Sequence, residues 1–126
     1  MQKIFLFLAM LFFSHCTFAG WVHLMHADNY IYYGDPESIE ISGGYKVRML
    51  VLEDFALYKM SRVNLHEFDC KTKNSRVLAE AEFSENMGRG EIKLANKVNW
   101  DLGIQSSNTL GRIELEFACR RAKFNF

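Results

Sequence analysis

Cysteine is the first residue type in this 126-residue sequence that could carry chemistry, and it occurs at Cys16, Cys70 and Cys119. A reactive or metal-binding thiol usually has a close second cysteine or a histidine partner, but no Cys-x-x-Cys spacing is present. If Cys16 is removed with a leader segment, the other two form an even pair, which is typical of a disulfide in an oxidising compartment. We therefore predict a Cys70–Cys119 disulfide, with a reactive thiol or metal ligand as the alternative.

A metal site is the second chemical candidate. His23, His26, Asp28 and His66 are residues of the types that bind zinc. The alternation of a strand, however, would point His23 and His26 to opposite faces. Neither a second spaced ligand pair nor a helical motif of two histidines and a glutamate accompanies them. We expect structural or solvated histidines and no cofactor.

Catalytic motifs give no further candidate. The sequence contains no Gly-x-Ser-x-Gly and no phosphate-binding glycine loop, and residues 87–90 (Met-Gly-Arg-Gly) are typical of a turn. Glu80 and Glu82 alternate with apolar residues, which favours a solvated strand face over a catalytic pair. We therefore expect that the protein is not an enzyme.

The first nineteen residues have the pattern of a secretory signal. Lys3 precedes the apolar run 4–13, and small residues at Thr17 and Ala19 favour cleavage between Ala19 and Gly20. The run is too short for a transmembrane anchor. Lipid attachment at Cys16 is an alternative, although that signal calls for a small residue where a histidine precedes the cysteine. We predict export to the periplasm, the outer surface or the medium.

The remaining residues, 20–126, fit a single domain. The whole chain has 15 basic and 15 acidic residues, and the leader contains one base, Lys3, and no acid. The domain is therefore close to neutral, whereas a nucleic-acid-binding protein needs a clear basic excess. We predict no nucleic-acid partner.

Apolar alternation predicts a mainly β domain with an antiparallel sheet of about six strands. The expected strands cover residues 21–26, 30–33, 45–55, 61–70, 76–83 and 91–94. In the fifth of these, Val77, Ala79, Ala81 and Phe83 are expected to point inward together. Trp100 is expected to begin an irregular link.

The longest predicted strand, residues 45–55, is apolar on both faces. Val47, Met49 and Val51 share one face, and apolar side chains at positions 50 and 52 share the other. Both faces therefore need cover. A C-terminal helix on one face and a second copy of the chain on the other would supply it, which predicts a homodimer. Loops folded back over the sheet are the alternative.

The C-terminal segment fits two patterns. Ile113, Leu115, Phe117 and Cys119 alternate as a strand does, while Leu110, Ile113, Glu114 and Phe117 fall at helical spacing. Residues 106–109 offer N-caps for a helix, and residues 120–121 are two arginines that suit a helix C-terminus. Periodicity alone favours the strand.

A set of residues and short segments follows a recognisable order along nearly the whole of the domain. They are Trp21, residues 32–39 (Tyr-Tyr-Gly-Asp-Pro-Glu-Ser-Ile), Gly44, Val47, residues 52–54 (Leu-Glu-Asp), Ser61, residues 67–70 (Glu-Phe-Asp-Cys), residues 83–84, residues 87–90, Trp100, Ser106 and Cys119. With this set, the chain resembles the surface-adhesin protein E-like family of small bacterial envelope proteins. The resemblance implies an antiparallel sheet with a C-terminal helix, tied to it by the Cys70–Cys119 disulfide.

The resemblance also implies a function. A non-enzymatic, adhesin-like protein would bind a macromolecule of the host, either an extracellular-matrix or a plasma protein. The alternative is a periplasmic structural or accessory protein with no host partner.

One surface feature is a candidate for partner binding. Lys59, Arg62, Lys71, Lys73 and Arg76 flank the predicted strand 61–70 and could form a basic patch that contacts acidic matrix polymers. Acidic residues at positions 53, 54, 67 and 69 lie close in sequence, so ordinary solubilising charge is the alternative.

Overall fold

A computed structural model describes residues 20–125 and shows a sheet followed by a helix. The strands are β1 (Val22–Ala27), β2 (Tyr30–Gly34), β3 (Glu40–Gly43), β4 (Lys46–Phe55), β5 (Met60–Asp69), β6 (Asn74–Phe83) and β7 (Ile92–Ile104), and the helix is α1 (Leu110–Arg121). The predicted mainly β class with a C-terminal helix is confirmed. The predicted leader, with Cys16 and Ala19, lies outside the described residues.

The sheet is antiparallel throughout and has the order β1-β2-β4-β5-β6-β7, with β3 also paired to β4. β2 and β3 lie end to end along the same side of β4, separated by a 3₁₀ turn at Pro36–Ser38. Ser38 Oγ accepts a hydrogen bond from Leu50 N at 2.9 Å and donates one to Asp35 O at 2.7 Å. A side chain therefore satisfies the backbone N–H of β4 where its partner strand is interrupted.

The core lies on the face of the sheet that α1 covers, which we call the helix face. Val47, Met49 and Val51 share this face of β4, as predicted, and they are buried. The cluster also contains Phe68, Cys70, Leu115, Ala118 and Cys119. The disulfide joins the end of β5 to the last turn of α1, with Cα atoms 5.8 Å apart. The predicted tie between helix and sheet is confirmed.

Local signals at both ends explain why the C-terminal segment is a helix. Thr109 is the N-cap, and its side chain accepts a hydrogen bond from Arg112 N at 3.1 Å. The last turn carries two arginines, which complement the negative end of the helix dipole. The amides of Lys123 and Phe124 donate to Arg120 O and Cys119 O, each at 2.9 Å, which is the Schellman pattern of helix termination.

The opposite face, which we call the far face, is covered in part by the loop of residues 84–90. Asn86 Nδ2 lies within hydrogen-bond distance of Asp54 Oδ1 and of three carbonyl oxygens in the β4–β5 hairpin. Ser61 Oγ donates to Glu85 O at 2.6 Å and accepts from the amide of residue 88. This loop lies over Leu52, which is fully buried. A loop folded back, rather than a second copy, therefore covers this end of the far face.

Two details of the predicted sheet are wrong. Trp100 lies inside β7, which has thirteen residues instead of a short strand and an irregular link. Val77 does not share a face with Ala79, because a register shift between Leu65 and His66 places Val77 opposite His66 on the helix face. A bulge adds one residue and so reverses the alternation of every side chain beyond it.

The disulfide gives a stability prediction. The double variant Cys70→Ser, Cys119→Ser should lower the free energy of unfolding by about 4 kcal/mol, because a closed loop of this length restricts the unfolded chain. Urea denaturation followed by tryptophan fluorescence measures the change. Wild-type protein in a reducing agent should behave like the double variant. Unchanged midpoints in both samples would contradict the prediction.

Candidate functional site

Two ionisable side chains, a histidine and a glutamate, are buried together between α1 and β5. His66 is 6% exposed and Glu114 is 3% exposed. His66 Nδ1 and Glu114 Oε2 are 3.5 Å apart, and the His66 ring stacks on Phe68 with ring centres 5.6 Å apart. We call these two residues the His66–Glu114 pair.

Burial keeps both members of the pair uncharged. It lowers the pKa of His66 to about 4, and burial together with the smaller effect of the Glu53 charge raises the pKa of Glu114 to about 8. A neutral imidazole beside a protonated carboxyl resembles a general base and a general acid. A substrate would have to displace α1 to reach them, and the disulfide holds that helix. The pair is therefore a structural feature of the helix interface.

A second buried acid lies on the far face. Glu67 is 4% exposed, and it accepts hydrogen bonds from Arg48 Nε at 2.9 Å and from Arg76 Nε at 3.0 Å. Burial alone would raise the pKa of Glu67, but the bonds and charges of the two arginines outweigh it and hold the pKa below its ordinary value. Glu67 therefore stays charged and holds β4, β5 and β6 together.

The five basic residues considered as one patch lie in separate places. Arg62 is on the helix face, ion-paired with two glutamates, while Arg76 is on the far face. Lys59 lies in the turn before β5, at the opposite end of that strand from the disulfide. Of the five, Lys71 and Lys73 line one cleft together. Partner binding by this set stays a prediction.

The cleft that holds these two lysines has a volume of about 420 Å³. Its lining includes Tyr45, Lys71, Lys73, Lys123 and Phe124, and we call it the lysine cleft. The rings of Tyr45 and Phe124 have centres 5.7 Å apart, and Lys71 Nζ lies 5.4 Å from the centre of the Tyr45 ring. Lys73 Nζ donates to Cys70 O at 2.7 Å. The cleft therefore combines three ammonium groups with two aromatic walls.

Backbone geometry places two of these lysines at unusual positions. Lys73 and Lys123 have φ of 68° and 67°, a left-handed conformation that costs a residue with a Cβ about 1 kcal/mol relative to glycine. Lys123 follows the C-cap of α1, where glycine is the common residue. Sequence reasoning did not identify Tyr45, Lys123 or Phe124 as members of a binding site. The predicted disulfide was the available signal for this cleft, because it brings the residues that follow Cys70 close to those that follow Cys119.

The second prominent surface is the edge strand β7. It pairs with β6 along one side, and no other described strand pairs with it. Five large apolar side chains on it are exposed, namely Ile92, Leu94, Trp100, Leu102 and Ile104. Exposed apolar groups next to unpaired backbone amides and carbonyls are typical of a surface that pairs with another chain.

His23 and His26 do not lie on opposite faces, and that prediction was wrong. A β-bulge after His23 shifts the register, so that His23 pairs with Tyr33 and His26 with Ile31, which share one face. Asp28 lies in the turn that follows β1. Within the described part of the chain, no group of three or more His, Cys, Asp and Glu residues is placed to hold a metal ion.

Comparison with models of protein families gives a match that covers the sheet and nearly all of α1. The family model of surface-adhesin protein E matches residues 21–120. The chain belongs to the surface-adhesin protein E family. No curated protein and no solved structure matches it at a significant level.

Membership in the surface-adhesin protein E family suggests a surface adhesin that is exported and non-enzymatic. Among residues 20–125, none of the helices is long and apolar enough to cross a bilayer. The match spans β1 to α1, so the lysine cleft and the β7 edge both belong largely to the family domain.

The His66–Glu114 pair gives a pH prediction for this member of the surface-adhesin protein E family. Between pH 6.5 and 8 the folded pair keeps the proton of Glu114, whereas the unfolded chain has lost it, so stability should fall by about 2 kcal/mol across that window. As pH drops below 4.5, stability should also fall, because the unfolded chain then binds one proton more than the folded chain. Between these limits the pair contributes no slope.

The variant Glu114→Gln separates the two members. It should abolish this fall above pH 6.5, and stability should instead decline as pH drops from 6.5 towards 4, because only the lowered pKa of His66 remains. Urea midpoints measured at several pH values give the profile. Glu116→Gln, on the solvent side of α1, serves as the matched control and should keep the wild-type profile. An unchanged profile in Glu114→Gln would contradict the assignment.

Proposed function

We propose that this protein is a non-enzymatic, exported adhesin-like protein that binds a host macromolecule, either an extracellular-matrix or a plasma protein. Residues 1–19 act as a secretory signal cleaved between Ala19 and Gly20. Family membership and the signal-like leader support this proposal.

The observation that carries the proposal is the β7 edge. An edge strand of thirteen residues, paired with β6 on one side and carrying five exposed large apolar side chains, is suited to main-chain pairing with an extended segment of another protein on its other side. Trp100, 48% exposed, provides the kind of aromatic anchor that dominates binding energy at protein interfaces. The disulfide-tied sheet presents this edge on a rigid frame, which limits the ordering cost of binding.

A periplasmic structural or accessory role is the alternative, and location separates the two. Intact cells of the source bacterium are treated with protease, and the protein is then detected in washed cells and in the medium. Removal from intact cells, or presence in the medium, supports the adhesin-like role. Protection until the outer membrane is breached would overturn it in favour of the periplasmic role.

Homodimerisation remains part of the proposal. Beyond the loop that covers Leu52, the far face has an open apolar trough of about 390 Å³, whose lining includes Leu50, Leu65, Ala79 and Phe83. A second copy of the chain could bury this trough through an isologous contact. Light scattering that shows a monomer at all concentrations would remove the dimer from the proposal.

The role of the β7 edge is tested by removing its apolar groups. The triple variant Trp100→Thr, Leu102→Thr, Ile104→Thr has a β-branched side chain at each of the three positions, so the strand should persist. Binding to immobilised matrix and plasma proteins should fall at least about tenfold, because the apolar anchors are lost.

Leu57→Thr, Tyr58→Thr is the matched control, since these residues are 70% and 65% exposed in the β4–β5 turn, away from β7. Thermal unfolding of each variant checks that the fold is retained. Equal loss of binding in the control and the triple variant would show that β7 is not the contact surface.

A further inference from the structure

The lysine cleft differs in charge from a larger cleft on the far face. The far-face cleft of about 550 Å³ has Lys46 and Arg76 among its lining residues, together with Glu67, Asp69 and Asp101. The described lining of the lysine cleft has three lysines and no acid. The lysine cleft is therefore a concave place of net positive charge on a domain with balanced charge, and a concave surface focuses such a field.

The acid that precedes these lysines in sequence, Asp69, lines the far-face cleft and not the lysine cleft. Asp69 precedes the cleft, and its Oδ1 accepts hydrogen bonds from the amides of Lys71 and Thr72 at 2.9 and 3.0 Å. These bonds hold the pKa of Asp69 below its ordinary value, and its carboxylate is engaged with the backbone of the turn. The ammonium groups of Lys71 and Lys123 belong to exposed residues.

The type of cation indicates the type of anion. Arginine has a planar fork that matches a carboxylate through two parallel hydrogen bonds, whereas lysine acts as a compact point charge. The cleft contains lysines alone among its cations. A sulfate group, which keeps its charge at all physiological pH values and accepts single bonds from several directions, fits such a set better than a carboxylate.

The aromatic walls indicate what carries the sulfate. Tyr45 is 52% exposed, and its ring forms one wall beside Phe124. The C–H groups on one face of a sugar ring pack well against an aromatic ring, because the face of the aromatic ring is electron-rich. From these observations we propose that the lysine cleft binds a sulfated polysaccharide, with sugar rings against Tyr45 and sulfate groups on Lys71, Lys73 and Lys123.

The cleft is built before any ligand arrives. The disulfide fixes Cys70 beside Cys119, and the Schellman turn brings Phe124 back against the core cluster that contains both cysteines. Lysine occupies two left-handed positions, 73 and 123, where glycine would be less strained. This site adds a ligand class that is separate from main-chain pairing at β7, and it does not depend on the proposed adhesive role.

The strained positions allow a test that does not endanger the fold. The double variant Lys73→Gly, Lys123→Gly removes two ammonium groups and at the same time relieves the left-handed backbone. Purified wild-type protein should bind heparin in low salt, and binding should weaken as salt rises. The double variant should bind heparin at least about tenfold more weakly and with a smaller dependence on salt.

The matched control is Lys59→Gln, Lys93→Gln, which removes the same charge from two exposed lysines outside the cleft lining. It should keep wild-type affinity for heparin. Tyr45→Leu, which keeps apolar packing but removes the ring, should weaken heparin binding while leaving thermal stability close to that of the wild type.

Three results would overturn the proposal. The first is no binding of heparin by wild-type protein in low salt, and the second is equal weakening in the cleft variant and its control. The third is binding of hyaluronan or polyglutamate, which carry carboxylates and no sulfate, as tightly as heparin. Because purified protein and polymer are used, these results are independent of cellular location and of matrix-protein binding at β7.

Discussion

The disulfide between Cys70 and Cys119 is the constraint on which the rest of this structure depends. The buried apolar side chains of α1 are Leu115, Ala118 and Cys119 itself. Burying one leucine contributes about 2–3 kcal/mol, and alanine contributes less. Apolar contact alone is therefore a weak anchor for a twelve-residue helix. The covalent bond fixes the last turn of α1 to the end of β5, and the helix in turn covers the core residues of β4.

The same interface contains two buried polar side chains, whose burial costs free energy that apolar side chains at these positions would not. Glu114 points from α1 into the sheet, and His66 occupies a core position on β5. Both remain neutral, because an isolated buried charge would cost far more than a shifted pKa. Stacking of His66 on Phe68 recovers some packing. The disulfide thus holds the helix in place independently of pH, whereas the stability of the interface beneath the helix depends on pH.

The sequence predicted the strands whose side chains alternate regularly and the turns that glycine marks. Alternation placed Val47, Met49 and Val51 on one face of β4. Glycines indicated the turn at residues 87–90. β7 was underestimated because both of its faces are largely exposed, so lysines, asparagines and apolar residues follow one another without a period.

The remaining details depended on contacts that no local pattern encodes. Bulges in β1 and between β5 and β6 moved His23 and Val77 to unexpected faces. The choice of helix over strand for α1 required knowledge from the family resemblance, because Ile113, Leu115 and Phe117 alternate. The lysine cleft could not be foreseen from charge clusters, since Lys123 joins it only through the disulfide and a Schellman turn that carries lysine where glycine is usual.

The two edges of the sheet are protected to different extents, and this difference bears on where the molecule meets other molecules. β1 is a strand of six residues interrupted by a bulge, a form that discourages pairing with another chain. β7 is twice as long, and its apolar side chains outnumber the lysines, Lys93 and Lys97, that would oppose such pairing. The ladder between β7 and β6 also has three register shifts, yet five large apolar side chains of β7 remain exposed. Such a long apolar edge is an aggregation hazard unless a partner uses it. The length of β7 is therefore better explained by recognition than by the stability of the sheet, which the inner strands and the tethered helix already provide.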